Sequence, residues 1–408
     1  MSARPDVAIL LDYFGPGGVE RVACHVANGL QRHGLKVEMI VLKDSGPVRS
    51  LLDPNITVRP LWTMPGLRHL RMKAAVPAIA AYLRLSRPRL FHSPGNYTTR
   101  PAALAIALSA YRGGFVAKIT NPLLKDSMTA RRKRQRRLSV YGWALRKAQV
   151  VLALAPSGVN EIAALDDRLA SRIRVIHNPY VDDRMLDSAG NRNPSDPPVI
   201  LSLGRLTTQK NQALLLRAAA RLRQQPWRLR ICGTGPDEPA LRALAEELGI
   251  ADRLELPGFV DDPVPEYRAA CVFVLSSNWE GLPATILEAV ACGCPVVSTA
   301  SSPGLVDLLR EIGAHEAVAR DDEEGLAEAL RQALDGELPK VSSAASVPYG
   351  IEAACDEHAA LFGELLDAHA GAAKPSVPAE PIVAGGAACP QRLRDPKAKT
   401  AVASSEYR

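Results

Sequence analysis

Short apolar runs of three to six residues alternate with segments of helical spacing along most of this chain, in two successive series. In the first, Val7–Leu11 is followed by Gly15, Gly17 and Gly18, then by Val19, Val22, Ala23, Val26, Ala27 and Leu30, which share one helical face. Val37–Leu42, Arg89–His92, Phe115–Ile119, Val150–Leu154 and Ile173–Ile176 continue it as short strands. The second opens with Val199–Leu203, Gly204 and a helix over Ala213–Leu222, and repeats with Leu229–Cys232, Gly233, Gly235 and a helix over Pro239–Leu248. Leu254–Leu256, Val272–Ser276 and Pro295–Thr299 complete it. Apolar strands between helices predict parallel sheets covered on both faces. The chain therefore reads as α/β, with two Rossmann-like domains over 1–178 and 198–345. A hinge rich in Pro, Asp and Asn lies at 179–197, a closing amphipathic helix at 346–370 (Ile351 to His369), and a disordered tail at 371–408.

Composition agrees. A chain of 408 residues is long for one compact domain and suits two. Its 47% hydrophobic content and mean hydropathy of −0.04 exclude a membrane-embedded or mainly disordered chain. The longest apolar stretch, Pro101 to Tyr111, is about half of what a bilayer-spanning helix needs, and Met1 to Asp6 has no signal-peptide core, so the expected location is the cytoplasm. Seven scattered cysteines, Cys24, Cys232, Cys271, Cys292, Cys294, Cys355 and Cys389, read as reduced thiols; the Cys292/Cys294 pair lacks companions for a zinc shell.

The most informative stretch is SSNWEGLPATILEAVACGCP, Ser276 to Pro295. A strand end, a turn holding Glu280 and Gly281, and a helix from Ala284 carrying Glu288 outline a site for an anion and hydroxyls. The N–H groups of a helix N-terminus hold phosphate, and a carboxylate accepts hydrogen bonds from sugar hydroxyls. The same residues also read as an exposed turn and a solvated helix. Spacing alone does not decide between the two.

EGLPATILEAVACGCPVV, with Glu280 and Glu288 separated by seven residues, resembles the signature of the retaining glycosyltransferases of family 4, which have the GT-B architecture of two facing Rossmann-like domains. SLGRLTTQKNQALLL, GTGPDEPALRALAEELGIADRLELPGFVDD and GGVERVACHVANGL resemble further stretches of that family in the expected order, so the resemblance spans most of residues 5–345. It implies that Gly204, Arg205 and Lys210 meet the donor's diphosphate, with Arg205 and Lys210 neutralising the leaving group. Glu288 meets the ribose hydroxyls, Glu280 lies beside the donor sugar, and Gly258, Phe259 and Val260 meet the base. Gly17 and Gly18 let the first domain's loop approach phosphate and sugar. Pro283 lacks an N–H, so phosphate contacts fall to Leu282, Ala284 or Thr285, and Gly281 also belongs to the donor-binding set. His92 resembles a histidine that some members place near the transferred sugar. Catalytic roles are thereby implied for Glu280, His92, Arg205 and Lys210.

The implied reaction is transfer of a sugar from a UDP or GDP donor to an acceptor hydroxyl with retention at the anomeric carbon. No cofactor or metal is expected: the sequence has no Asp-x-Asp triplet, and Arg205 with Lys210 would take the ion's role.

Charge is unevenly spread. Residues 1–197 hold 30 Lys and Arg against 14 Asp and Glu, and residues 54–160 contain one acid, Asp126. Arg131, Arg132, Lys133, Arg134, Arg136 and Arg137 form a basic run. In the resembled family this half binds the acceptor. The expected partner is therefore a glycan or lipid-linked saccharide at the inner face of the cytoplasmic membrane, in bacterial envelope polysaccharide or lipopolysaccharide assembly. Arg68, Arg71, Lys73, Arg84 and Arg87, near Trp62, Leu67, Leu70 and Tyr82, would touch lipid. A nucleic-acid module is disfavoured, because residues 126–140 hold no aromatic side chain. A dehydrogenase is disfavoured as well, because Glu238 stands where the dinucleotide fingerprint needs its third glycine. A GT-B sugar-nucleotide epimerase is the nearer alternative.

Overall fold

Seven strands form the first sheet of the computed structural model, which describes residues 4–61, 71–123 and 131–370. They are β1 (Val7–Tyr13), β2 (Val37–Lys43), β3 (Thr57–Pro60), β4 (Leu90–Ser93), β5 (Gly114–Lys118), β6 (Val150–Ala153) and β7 (Ile173–Val175), in the order β3-β2-β1-β4-β5-β6-β7. The second sheet holds β8 (Val199–Leu203), β9 (Arg228–Cys232), β10 (Leu254–Gly258), β11 (Ala270–Leu275) and β12 (Val296–Ser298), in the order β10-β9-β8-β11-β12. Neighbouring strands are parallel throughout both sheets.

Both faces of each sheet are buried, which is why the strands read as unbroken apolar runs. In β1, Ala8 and Leu10 face the helices Val76–Ser86, Asn96–Ser109 and Arg131–Leu145, whereas Ile9 and Leu11 face the helix Gly18–Arg32. In the second sheet, Ile200, Ile231 and Val274 lie on one face and Leu201, Cys232 and Phe273 on the other. The cysteines of the described residues are free thiols, all but Cys271 buried. Cys389 lies outside those residues, as do Trp62, Leu67, Arg68, Leu70, Asp126 and the 371–408 segment.

The closing helix, Ile351–Ala370, ties the two sheets together. It begins beside the second, where Tyr180 N and Val181 N both donate to Tyr349 O, and then lies across the first. Phe362, Leu365 and Leu366 share a core with Val26 and Leu30 of the first helix. The helices meet at Gly29, where a Cβ would stand 2.6 Å from Cys355 Cβ.

A buried lysine lies under this helix. Lys118, 1% exposed at the end of β5, has its Nζ 3.2 Å from His358 Nε2. His358 Nδ1 is 2.7 Å from Ala354 O and must donate to it, which leaves Nε2 as the acceptor. Burial lowers the Lys118 pKa to about 7.

Several sequence expectations are corrected. The 179–197 stretch joins the two sheets and is itself packed: its helix, Asp183–Ser188, is capped by Asp182, and Val181 and Met185 belong to the core of the second sheet. Tyr82 does not reach the surface; its ring is buried and its hydroxyl donates to Glu38. Arg71 pairs with Asp12 at 2.6 Å, at the end of β1, instead of facing outward. Strand β3 carried no prediction: its TVRP sequence lacks an apolar run because it sits at the sheet edge.

A lysine whose pKa falls on folding binds fewer protons in the folded state, so its contribution to stability is complete only above the unfolded value near 10 and is lost as pH falls toward 7. Urea unfolding between pH 7 and 10 should therefore show a steeper rise in stability for the wild type than for Lys118→Met. Parallel pH profiles for the two proteins would contradict this burial effect.

Candidate functional site

The loops leaving β8, β9, β10 and β11 meet at the C-terminal edge of the second sheet. Glycines permit that convergence. Gly233 has φ +147°, and a Cβ there would stand 2.0 Å from Gly204 O; one on Gly235 would stand 2.1 Å from Leu206 O. No side chain fits between these loops.

Lys210 and Glu280 meet in this frame. Lys210 Nζ lies 2.7 Å from Glu280 Oε1, and Ser277 Oγ donates to the same oxygen at 2.8 Å. Both charged groups are largely buried, with side-chain exposures of 16% and 9%. Their backbones are laced together as well: Ser276 Oγ donates to Lys210 O at 3.0 Å, Gln209 Nε2 to Trp279 O at 3.0 Å, and Asn278 Nδ2 to Thr208 O at 2.7 Å. Arg205, on the same loop, is exposed and makes no ion pair among the described residues.

The helix Ala284–Ala291 follows, with Pro283 as its N-cap and no acid in its first turn. Its free N–H groups and dipole make the turn attractive to an anion. Thr285 Oγ1 is buried there without a partner. Glu288, one turn on, is not solvated. It is 8% exposed and accepts a 2.9 Å hydrogen bond from Tyr267 OH. Burial raises its pKa, and the Tyr267 hydroxyl and the cations Arg21 and Lys210 oppose the rise.

Gly258 (φ +85°), Phe259 and Val260 end the neighbouring strand, and Phe259 is 61% exposed, an aromatic face without a cover. Gly281 abuts the first domain, since a Cβ on it would lie 1.8 Å from Thr120 O. Leu282 is buried and its carbonyl accepts from Tyr180 OH at 3.0 Å. Gly17 and Gly18 are exposed at the start of the first helix, where the Glu20 carboxylate folds back over Gly17.

Lys210, Glu280, Gly281, Leu282, Ala284, Thr285 and Glu288 are thus brought to one sheet edge, with Arg205 and Gly204 on the adjoining loop. His92 is not among them. On β4 its ring points to the face covered by the closing helix, where it is 2% exposed, lies edge-on to Phe362 at 5.4 Å, and donates from Nδ1 to Val116 O at 3.1 Å. Burial and the nearby Lys118 lower its pKa to about 3, which leaves a neutral core imidazole. Tyr267, Ser277 and Tyr180 were not predicted. Each acts through a contact distant in sequence or, for Ser277, through a turn whose shape no motif records.

Residues Arg131, Arg132, Lys133, Arg134 and Arg136 are exposed on the helix Arg131–Leu145, and Arg137 bonds Leu123 O, two residues beyond Asn121. This places the basic run at the cleft end of the first sheet. Among the described residues, no helix is long and apolar enough to cross a membrane, and no cluster of three or more His, Cys, Asp or Glu side chains suits a metal.

The family model described as glycosyl transferases group 1 matches residues 183–346, and that described as a glycosyl transferase 4-like domain matches residues 17–179. The chain is 28% identical to the lipopolysaccharide core biosynthesis glycosyltransferase LpsE of Rhizobium meliloti, over 78% of this chain and 86% of that one. It is 36% identical to the N-acetylgalactosamine-N,N'-diacetylbacillosaminyl-diphospho-undecaprenol 4-alpha-N-acetylgalactosaminyltransferase of Campylobacter jejuni, over 33% of this chain and only 37% of that one. The fold matches that of Anabaena HepE in complex with UDP, with a TM-score of 0.69 and 19% identity, over 89% of this chain and 100% of that one.

A buried carboxylate with a raised pKa favours its neutral form. Its contribution to stability is present below about pH 4.5 and is lost as pH rises through the folded value. Glu288→Gln keeps an acceptor for Tyr267 and removes the buried charge. At pH 7 the variant should unfold at a higher temperature than the wild type, by the equivalent of about 1 kcal/mol; calorimetry at pH 4 and pH 7 should find the gain larger at pH 7.

Proposed function

The chain belongs to the group 1 glycosyltransferases, which have the GT-B fold, and within that family we propose that it moves a sugar from a nucleoside diphosphate, UDP or GDP, to a hydroxyl of a glycan or lipid-linked saccharide. The observation that carries this reading is the buried Lys210–Glu280 pair, set between the exposed Arg205 and the open N-terminus of the helix Ala284–Ala291.

A diphosphate entering that space gains Arg205, Lys210 and the helix N–H groups as donors, and the N–H of Ala284 or Thr285 is available despite Pro283. Glu288, fixed by Tyr267, accepts from ribose hydroxyls. Phe259 supplies an apolar face for the base. As the bond between the anomeric carbon and the diphosphate oxygen breaks, the electron pair leaves with the diphosphate, and Arg205 and Lys210 hold the charge it gains. The acceptor oxygen bonds to that carbon on the same face, and its proton passes to a phosphate oxygen of the leaving group. Retention follows without a protein nucleophile or a metal. Glu280, freed of Lys210 by the diphosphate, faces the sugar.

UDP as the donor base is supported by the complex of HepE. Envelope polysaccharide or lipopolysaccharide as the product is supported by the name of the Rhizobium relative, and a lipid-linked acceptor by that of the Campylobacter one. The basic run Arg131–Arg137 at the cleft rim suits an anionic membrane surface.

A thermal-shift screen against UDP and GDP tests the donor site. A ligand at a hundred times its dissociation constant should add about 2.7 kcal/mol to the folded state, and Lys210→Ala should abolish the shift. Glu280→Gln, which releases Lys210, should bind the diphosphate at least as tightly as the wild type while losing transfer. Weaker binding by that variant would argue against Lys210 as the phosphate ligand. Co-sedimentation with phosphatidylglycerol vesicles at physiological salt should fall when Arg131, Arg132, Arg134 and Arg136 are replaced by Gln together. Equal binding of that variant would separate the basic run from the membrane.

A further inference from the structure

The donor loop and the first domain meet at a point where no side chain fits. A Cβ on Gly281 would lie 1.8 Å from Thr120 O and 3.6 Å from Asn121 Cα. On the donor side the loop cannot yield easily. Glu280 N donates to Ser301 O at 3.1 Å, Ser302 Oγ to Gly281 O at 2.8 Å, and Tyr180 OH to Leu282 O at 3.0 Å. Three successive residues are therefore tied, two of them to the Ser301–Ser302 loop and one to Tyr180.

The opposing segment is held by one side chain. Asn96, the first residue of the helix Asn96–Ser109, accepts at Oδ1 from Thr120 N at 2.8 Å, Thr120 Oγ1 at 3.2 Å and Asn121 N at 3.2 Å, and its Nδ2 donates to Asn121 O at 2.8 Å. Tyr141 OH donates to Asn96 O at 3.2 Å. Behind it Gly95 is wedged between domains' elements of the same half, its Cβ position 3.1 Å from Val19 Cγ1 and 3.3 Å from Thr120 Oγ1. Asn96 thus fixes where the Thr120 carbonyl stands relative to both the first helix and the donor loop.

We propose that the Thr120–Gly281 contact is the stop against which the cleft closes, and that Asn96 is a positioning residue that sets it. This deepens the transfer reading above and rests on it. Glu280 precedes Gly281, so the depth of closure fixes how near its carboxylate and the donor sugar come to an acceptor held by the first domain. A side chain at 281 would hold the domains apart at the catalytic edge, and a loose 120–121 segment would leave the stop undefined. Among the described residues Asn96 makes no hydrogen bond to Lys210, Glu280 or Glu288. Donor binding and transfer should therefore separate, because a displacement of about 1 Å at reacting groups can cost about a hundredfold in rate.

The test compares Gly281→Ala, Asn96→Ala and Asn96→Asp in the full chain, by UDP or GDP affinity, by donor KM and kcat for sugar transfer, and by amide hydrogen exchange over residues 117–123. In Asn96→Ala, nucleotide affinity and donor KM should stay within about threefold of the wild type while kcat falls at least about thirtyfold; Gly281→Ala, which alters the donor loop itself, should lose at least as much kcat. Exchange at the Thr120 and Asn121 amides should accelerate in Asn96→Ala. Asn96→Asp keeps the accepting oxygens and should recover part of both the protection and the kcat. The proposal is overturned if Asn96→Ala turns over as fast as the wild type, or if it loses nucleotide affinity in step with kcat. Should Gly281→Ala fail to fold, the two Asn96 variants decide alone. Wild-type protein that binds neither UDP nor GDP and transfers no sugar overturns the transfer reading itself, and the positioning role with it.

Discussion

Parallel strands covered on both faces leave a chain little choice about where to keep its chemistry. In the interior strands of both sheets the side chains are committed to one core or the other. Polar groups that must meet a ligand are excluded from the faces and collect where the strands end. Every loop discussed as part of the site leaves the C-terminal end of a strand, and the glycines at 204, 233, 235 and 281 let those ends approach closely enough to share one edge. The site is a by-product of close packing among backbones before it is an arrangement of charges.

The charges themselves are held under tension. Lys210 and Glu280 neutralise each other in a largely buried setting, and Glu288 keeps its carboxylate against the cost of desolvation with one tyrosine hydroxyl and two distant cations. Such groups stabilise little on their own terms. What the structure shows is fixed geometry: Lys210 is held by Glu280 and Glu288 by Tyr267. The Lys118–His358 contact follows a different logic, because its partner is a neutral imidazole and burial shifts the lysine toward neutrality.

Much of this was legible in residue order. The strands over Val199–Leu203 and Val7–Tyr13 and the closing helix from Ile351 follow from apolar runs and helical spacing, because burial on both faces writes itself directly into composition. Lys210, Glu280 and Glu288 were singled out through the family resemblance, and the structure brings them to one sheet edge. What sequence could not carry were contacts closing over long separations. Tyr267 reaches Glu288 from another helix, and Asn96 reaches Asn121 from another strand's loop. His92 marks the opposite error, a strand-end histidine whose side of the sheet is decided by a one-residue alternation that its motif does not record. That the connection over 179–197 is packed was not legible either: its polar residues cap a short helix and its few apolar ones, Val181 and Met185, are core.

The path of the closing helix also bears on how the molecule is made. One face of the first sheet is finished by Phe362, Leu365 and Leu366, residues that leave the ribosome only after the whole second sheet has been synthesised. Until then the first helix presents Gly29 to solvent where Cys355 will sit, and Lys118 has water in place of an imidazole. The usual order, in which an N-terminal domain completes itself while the rest is being translated, is unavailable to this chain. Its first half must wait, partly open, for its last helix.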